Sequence, residues 1–130
     1  MMIRLSEDEK QELCETMGSQ LKRLRAISGI TQEGLAELSG ISKERISRIE
    51  NGAYTMRWSQ FVNFILIFMM NANTKEYLVA SKILTPRLLQ AMQMKDALVP
   101  PDIVVPISDT LSKEFHDSFL NTDSTKLYAD

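Results

Sequence analysis

Two short amphipathic segments joined by a glycine-containing turn constrain this chain more than any other feature. They occupy residues 31–52, TQEGLAELSGISKERISRIENG. Thr31 is a good N-cap for a first helix, and Gly40 can take the left-handed conformation that ends it. Ser42 is a good N-cap for a second helix, which closes at Gly52. The spacing therefore predicts two helices of a few turns each that cross at a tight turn.

The apolar and polar positions of these two helices divide cleanly. Ala36 is small where the helices would cross, while Ile46 and Ile49 anchor the second helix to the core. Polar residues fill the other positions of the second helix: Lys43, Glu44, Ser47 and Arg48, with Arg45 toward one side. This is a helix-turn-helix pattern, whose second helix has the width of the DNA major groove. Side chains near its N-terminus can then reach base edges.

The positive charge of the chain is concentrated around these helices. The whole chain carries a formal net charge of −2. Residues 16–57 nevertheless hold seven basic and four acidic residues, a net charge of +3, whereas the flanking segments are acidic. Phosphate responds to the local field of a surface rather than to total charge. The segment can therefore attract nucleic acid even though the protein is acidic.

Helical periodicity also precedes and follows the central segment. Ser6 and Glu9 have the spacing of a capping box, which predicts a first helix that ends before Gly29. A fourth helix is predicted through the apolar stretch that begins at Trp58 and contains FVNFILIFMMN.

The C-terminal part is predicted to be mainly helical. Asn73 with Glu76 marks a fifth helix, and Thr85-Pro86 opens a sixth that runs to about Leu98. The stretch VPPDIVVP that follows is extended, and a last amphipathic helix contains Leu111, Phe115 and Phe119. The predicted organisation is a domain over residues 1–84 and a helical extension over residues 85–130 that ends in a flexible tail.

The central segment resembles the helix-turn-helix domain of phage repressors and Cro proteins, the XRE-like family. The resemblance covers about residues 17–68 and depends on four short motifs in order. They are Leu21-x-x-Leu24-Arg25 in the first helix, Thr31-Gln32-Glu33-x-Leu35-Ala36 in the second, Gly40-Ile41-Ser42 in the turn, and Ile46-Ser47-x-Ile49-Glu50-Asn51-Gly52 in the third. The resemblance implies an all-α fold with a five-helix, repressor-like DNA-binding domain.

The resemblance also implies roles for individual residues. The side chains that would face base edges are Lys43, Glu44, Ser47 and Arg48. Those that would contact backbone phosphates are Gln32, Ser42, Arg45, Asn51 and Arg57. Arg25 would pair with Glu50 inside the domain, which is a structural role.

Glu44 departs from the family pattern, in which an amide or hydroxyl side chain is common at this position. A carboxylate repels phosphate, but it can accept a hydrogen bond from the amino group of cytosine. We therefore expect Glu44 to penalise non-specific contact and to favour a cytosine at one base pair. The loop after Gly52 also lacks the basic residues that often contact phosphate in this family.

The fourth helix is apolar on two sides. One face should complete the core of the domain: Trp58, Phe61, Val62, Ile65 and Phe68. The other side, which would normally be polar, contains Asn63, Leu66, Ile67 and Met70. A helix that is apolar on both sides is buried on both sides. Either residues 74–120 fold back over the second face or that face is the interface of a homodimer, and the two can coexist. A dimer would read a palindromic site.

The sequence offers little support for an enzyme, a metal site or a cofactor. The only cysteine, Cys14, lies among acids that raise a thiol pKa, and His116 is a lone histidine on an amphipathic stretch. The polar N-terminus does not resemble a secretory signal, and the most apolar run is too short to span a bilayer. We therefore expect a cytoplasmic protein of bacterial, phage or plasmid origin.

The sequence thus predicts sequence-specific binding of double-stranded DNA by a homodimeric transcriptional regulator, with repression as the default. The rival interpretation is an antitoxin-like or anti-regulator protein that binds a protein partner through its C-terminal helices, with DNA binding secondary or lost. An effector-sensing switch is a weaker alternative, because the C-terminal part leaves little room for a sensor domain.

Overall fold

The computed structural model describes residues 2–101 and forms six α-helices over that range. They are α1 (Glu7–Ser28), α2 (Gln32–Ser39), α3 (Lys43–Glu50), α4 (Trp58–Met69), α5 (Ala72–Ala80) and α6 (Pro86–Met92). The all-α prediction is confirmed, since residues 2–101 contain no strand and only isolated bridge positions, such as the pairing of Met2 with Asp96. The predicted last helix with Leu111, Phe115 and Phe119 lies outside the described residues.

The boundaries of α1 follow the predicted capping signals. The Glu9 backbone N–H donates to Ser6 Oγ at 3.1 Å, and the Ser6 N–H donates to Glu9 Oε1 at 3.3 Å. This reciprocal pair satisfies two backbone donors that the first turn leaves without helical partners. At the other end, Gly29 has φ 76° and its N–H donates to the Arg25 carbonyl.

The turn between α2 and α3 also has the predicted chemistry. Thr31 Oγ1 accepts from the Gly34 N–H at 2.9 Å, and Ser42 Oγ accepts from the Arg45 N–H at 3.1 Å. Between the two helices, Gly40 has φ 73°, a conformation that is strained for residues with a Cβ. The turn is short because the backbone groups at the end of α2 and at the start of α3 find hydrogen-bond partners locally, at Gly40 and Ser42.

One hydrophobic core joins all six helices. Three aromatic side chains of α4 are fully buried in it: Phe61, Phe64 and Phe68. Helix α1 packs against α3, α4 and α5, and α2 packs against α3 and α4. Full burial of such side chains contributes about 1.5–3 kcal/mol each. α1 and α4 thus form the support on which the pair α2–α3 is fixed.

The start of α5 differs from the prediction. Its N-cap is Asn71 rather than Asn73, because Asn71 Oδ1 accepts from the Asn73 N–H at 2.9 Å. The next turn is fixed by Thr74, which is fully buried and donates from Oγ1 to the Phe68 carbonyl at 2.6 Å. The helix therefore begins two residues earlier than the sequence suggests.

The predicted end of α6 near Leu98 is wrong, since the helix ends at Met92. Met94 has φ 56°, which interrupts the helix. The Gln90 side-chain amide then donates to carbonyls of the residues that follow, with the Val99 oxygen at 2.8 Å. These bonds turn the chain back over α6, which helical periodicity cannot predict.

Candidate DNA-binding surface

Helix α3 presents a polar outer face because its apolar side chains point into the core. Ile46 and Ile49 are 0% and 2% exposed. Lys43, Glu44 and Arg48 are exposed, and Ser47 is half-buried beside them. The structure therefore brings the four predicted base-reading residues to one short helix with its apolar residues turned inward. A face of this kind can enter a major groove without moving the core.

A partly buried network fixes the end of α3 to α1. Arg25 Nε lies 2.7 Å from Glu50 Oε2, and Arg25 Nη2 lies 2.9 Å from Glu50 Oε1. The predicted pair is thus confirmed. The Arg25 and Glu50 side chains are only 16% and 3% exposed. The hydrogen bonds to Glu50 raise the pKa of Arg25 above its ordinary value.

Gln32, predicted to contact phosphate, belongs to the same network. Its Nε2 donates to Glu50 Oε1 at 3.1 Å. A side-chain amide has two N–H donors and a carbonyl oxygen. This bond therefore orients the Gln32 side chain while leaving a second N–H that a phosphate could accept.

Lys43 forms an ion pair that the sequence did not indicate. Lys43 Nζ lies 2.6 Å from Glu33 Oε1, and the two side chains are 51% and 67% exposed. The hydrogen bond raises the pKa of Lys43 and lowers that of Glu33. Glu33 is on α2, ten positions before its partner, so the pairing depends on how α2 and α3 cross.

Arg45 is held by an aromatic side chain from the loop after α3. Its guanidinium carbon lies 4.1 Å from the centroid of the Tyr54 ring, within the range of a cation–π contact. The Tyr54 N–H also donates to the Arg48 carbonyl at 3.3 Å, which closes this loop onto α3. Tyr54 therefore positions a predicted phosphate-binding cation, although the loop has no basic side chain of its own.

The remaining predicted phosphate contacts lie at helix ends. Ser42 is the N-cap of α3, and its hydroxyl hydrogen is still able to point outward because its oxygen accepts the cap bond. The Asn51 N–H donates to the Ser47 carbonyl at 3.0 Å, so a phosphate contact would have to use its side-chain amide. Arg57 is exposed at the N-cap of α4.

The four residues predicted at a dimer interface have different surroundings. Asn63 Nδ2 donates to the Ser39 carbonyl at 2.6 Å, which ties α4 to the end of α2. Ile67 is half-buried against the core. Leu66 and Met70 are 62% and 57% exposed, so the described part of the chain leaves them uncovered.

Residues 2–101 do not meet the requirements of a metal site, a reactive thiol or a membrane-spanning helix. That range contains no group of three or more His, Cys, Asp and Glu side chains arranged to hold a metal ion. Burial, with a smaller contribution from Glu15, raises the pKa of the Cys14 thiol to about 11, so burial outweighs the effect of acids expected from the sequence. No helix within the described range is both long and apolar enough to cross a membrane. His116 lies outside the described residues.

Comparison with known proteins supports the same segment. Residues 16–68 match a protein-family model described as a helix-turn-helix domain. Curated proteins and solved structures give no significant match to the chain. Domains of this family are typically not enzymes. The matched residues contain α2, the turn, α3 and all of α4 but its last residue, together with the C-terminal part of α1. Residues 16–68 of this chain therefore match the helix-turn-helix domain family, in agreement with the resemblance to phage repressors and Cro proteins.

Proposed function

We propose that this chain is a sequence-specific transcriptional regulator that binds double-stranded DNA as a homodimer. In this proposal α3 enters the major groove, and Lys43, Glu44, Ser47 and Arg48 face the base edges. The observation that carries the proposal is the exposed polar face of α3, which is fixed from behind by the Arg25–Glu50 pair. Repression is the simplest action, because occupying a promoter requires no further surface.

The phosphate contacts would set the register of the protein on the duplex. We assign them to Gln32, Ser42, Arg45, Asn51 and Arg57. Only a few of these groups are cations, so the affinity of a single domain should be modest and should fall with salt. Two linked domains would double the number of contacts and restore useful affinity.

Dimerisation would use the exposed apolar residues of α4. Leu66 lies in α4, and Met70 is the C-cap of that helix one turn further on, so the two side chains lie on the same side of it. Asn63 and Ile67 would border this patch, although each also has a contact within its own chain. A two-fold axis through the patch would relate two copies of α3 for a palindromic operator. We keep residues 1–84 as the DNA-binding unit and residues 85–130 as its extension.

The cellular setting follows from the proposed activity. A regulator of this family acts on DNA, so we place the protein in the cytoplasm of a bacterium, with a chromosomal, phage or plasmid gene. The target sequence is to be determined by experiment.

A two-step binding experiment tests the proposal. Full-length protein is titrated into a random duplex at several salt concentrations, and bound sequences are then selected and amplified from a random pool. We expect binding at low salt, with the logarithm of the binding constant falling linearly with the logarithm of the salt concentration. The selection should then enrich a palindromic sequence. Enrichment without a palindrome would contradict the homodimer. Absence of binding even at low salt would contradict DNA recognition.

An interaction module is the second candidate, and one observation favours it. Apolar side chains are strongly exposed after α6, with Met94 at 69% and Leu98 at 95% exposure. Met94 and Leu98 are four positions apart, and contiguous exposed apolar surface is typical of sites that bind other proteins. Failure of the DNA titration at low salt, together with a folded and monodisperse protein, would favour this alternative.

A further inference from the structure

An open cleft lies where the end of α1 meets the starts of α2 and α3. The charged and amide side chains that line it are Arg25, Gln32, Glu33 and Lys43. Each donor among them already contacts a carboxylate of the same chain. Arg25 and Gln32 bind Glu50, whereas Lys43 binds Glu33. The cleft therefore contains three donor side chains suited to DNA, each of which already makes at least one bond to a carboxylate of the same chain.

The two carboxylates differ in how easily they can be displaced. Glu50 is almost completely buried, with 3% of its side chain exposed, and it holds two partners. Glu33 is 67% exposed and holds only Lys43 among the contacts of the described residues. Exposed ion pairs contribute little to stability because water screens them, so the Glu33–Lys43 pair can open at small cost. An external anion can compete for Lys43 but not for Arg25.

Helix geometry explains why the pair forms in the free protein. Lys43 is the first residue of α3, where the positive end of the helix dipole disfavours a cation. Glu33 is the second residue of α2, where the same effect favours an anion. The Glu33 carboxylate therefore neutralises the Lys43 cation, which the dipole of α3 would otherwise disfavour. The pair connects the two helices of the motif without contributing to the buried core.

We propose that Glu33 is a specificity-determining residue, which competes with DNA for Lys43 and so weakens binding to non-operator sequences. This inference rests on the proposed function. On an arbitrary duplex, Lys43 must exchange Glu33 for a phosphate, and the released carboxylate is repelled by the DNA backbone. On an operator, a well-placed acceptor such as guanine O6 or N7 compensates for the exchange. Glu33 thus increases the ratio of specific to non-specific affinity.

The test compares two charge-removing substitutions on the same helix. Glu33→Gln removes the competitor, whereas Glu37→Gln removes an equal charge from an exposed residue of α2 that does not pair with Lys43. Binding of the full-length protein to a random duplex and to the selected operator is measured by fluorescence anisotropy. We expect Glu33→Gln to raise random-duplex affinity about 3–10-fold more than Glu37→Gln, with a salt slope steeper by about one. The gain on the operator should be smaller.

A double-mutant cycle identifies Lys43 as the intermediary. In a Lys43→Ala background, Glu33→Gln and Glu37→Gln should have the same effect, because no competition for Lys43 remains. Equal gains from both substitutions in the wild-type background would overturn the inference and leave the proposed function intact. A Glu33→Gln gain that persists without Lys43 would overturn it as well. If wild-type protein binds no duplex at low salt, the proposed function fails, and the inference fails with it.

Discussion

Arg25 holds Glu50 through two parallel hydrogen bonds, 2.7 and 2.9 Å long, and so fixes the last residue of α3 against α1. Two bonds between planar groups restrict orientation as well as distance. The direction in which α3 presents its polar face is therefore set by a contact that lies behind that face. The pair is structural, but the proposed recognition of DNA depends on it.

Loss of this pair should destabilise the fold. Glu50→Ala leaves the largely buried Arg25 guanidinium without its partner, and we expect a loss of roughly 3 kcal/mol in the free energy of unfolding. Urea denaturation followed by circular dichroism measures the change. The control is Glu7→Ala, which breaks the exposed pair with Lys10, where the Glu7 side chain is 92% exposed. A similar small loss for both variants would contradict a structural role for Glu50.

Arg48 should read a base. Arg48→Ala is expected to weaken operator binding by about 1–3 kcal/mol and to relax preference at one base pair, as for a bidentate contact to guanine. Anisotropy titrations against a set of single-base operator variants measure both effects. An equal loss on every sequence would show that Arg48 contacts only phosphate.

The exposed patch on α4 should support the dimer. Leu66→Glu combined with Met70→Glu places four like charges across a two-fold axis, so dimerisation and operator binding should weaken together. Light scattering and shift assays measure the two effects. Val79→Glu is the control, since Val79 is 45% exposed on α5. Light scattering should be done at tens of micromolar protein, well above a dimer dissociation constant of about 1 μM. A monomeric wild type at that concentration would contradict this interface.

Replacing two of the glycines by alanine should change the stability of the protein in opposite directions. A Cβ at Gly18, inside α1, would meet Ile49 Cγ2 at 3.5 Å, which is an ordinary contact. Gly18→Ala should therefore stabilise the protein by about 0.5–1 kcal/mol through helix propensity. Gly52 has φ 76°, so Gly52→Ala should be destabilising by about 1 kcal/mol, although no atom would obstruct its Cβ. Equal urea midpoints for both variants would contradict this contrast.

Cys14 should be unreactive in the folded protein. Its pKa of about 11 keeps the thiol protonated at pH 8, and only the thiolate is a nucleophile. A thiol-reactive chromophore should modify it much faster in urea than in buffer. Because the folded pKa exceeds that of the unfolded chain, the associated stability is present at neutral pH and is lost as pH rises above about 8.5 toward 11. Rapid labelling of the folded protein would contradict this.

Local chemistry made much of the fold predictable from sequence. The left-handed turns at Gly29 and Gly40 and the caps at Thr31 and Ser42 each depend on residues within four positions of one another. The Arg25–Glu50 pair spans 25 positions, and it was predicted only through the resemblance to a family. Short-range rules alone would have missed it.

The contacts that the sequence did not indicate depend on how helices cross. Glu33 meets Lys43, and Tyr54 covers Arg45, because the α2–α3 turn and the loop after α3 bring separate segments together. No periodicity marks these partners. The early end of α6 has a similar origin, since one side chain, Gln90, competes with helix continuation by binding later carbonyls.

The contact between Arg87 and Glu9 has a kinetic consequence. It joins α6 to the first turn of α1 across 78 positions of sequence, so forming it requires closure of a very long loop. Contacts of this separation tend to form late in folding, after the local pairing of α1, α2 and α3. The packing of α6 on the start of α1 should then open more readily than the helix-turn-helix motif. Amide exchange should be fast at Ile3 and slow at Leu21, and the helix-turn-helix motif should survive transient detachment of α6 from the start of α1.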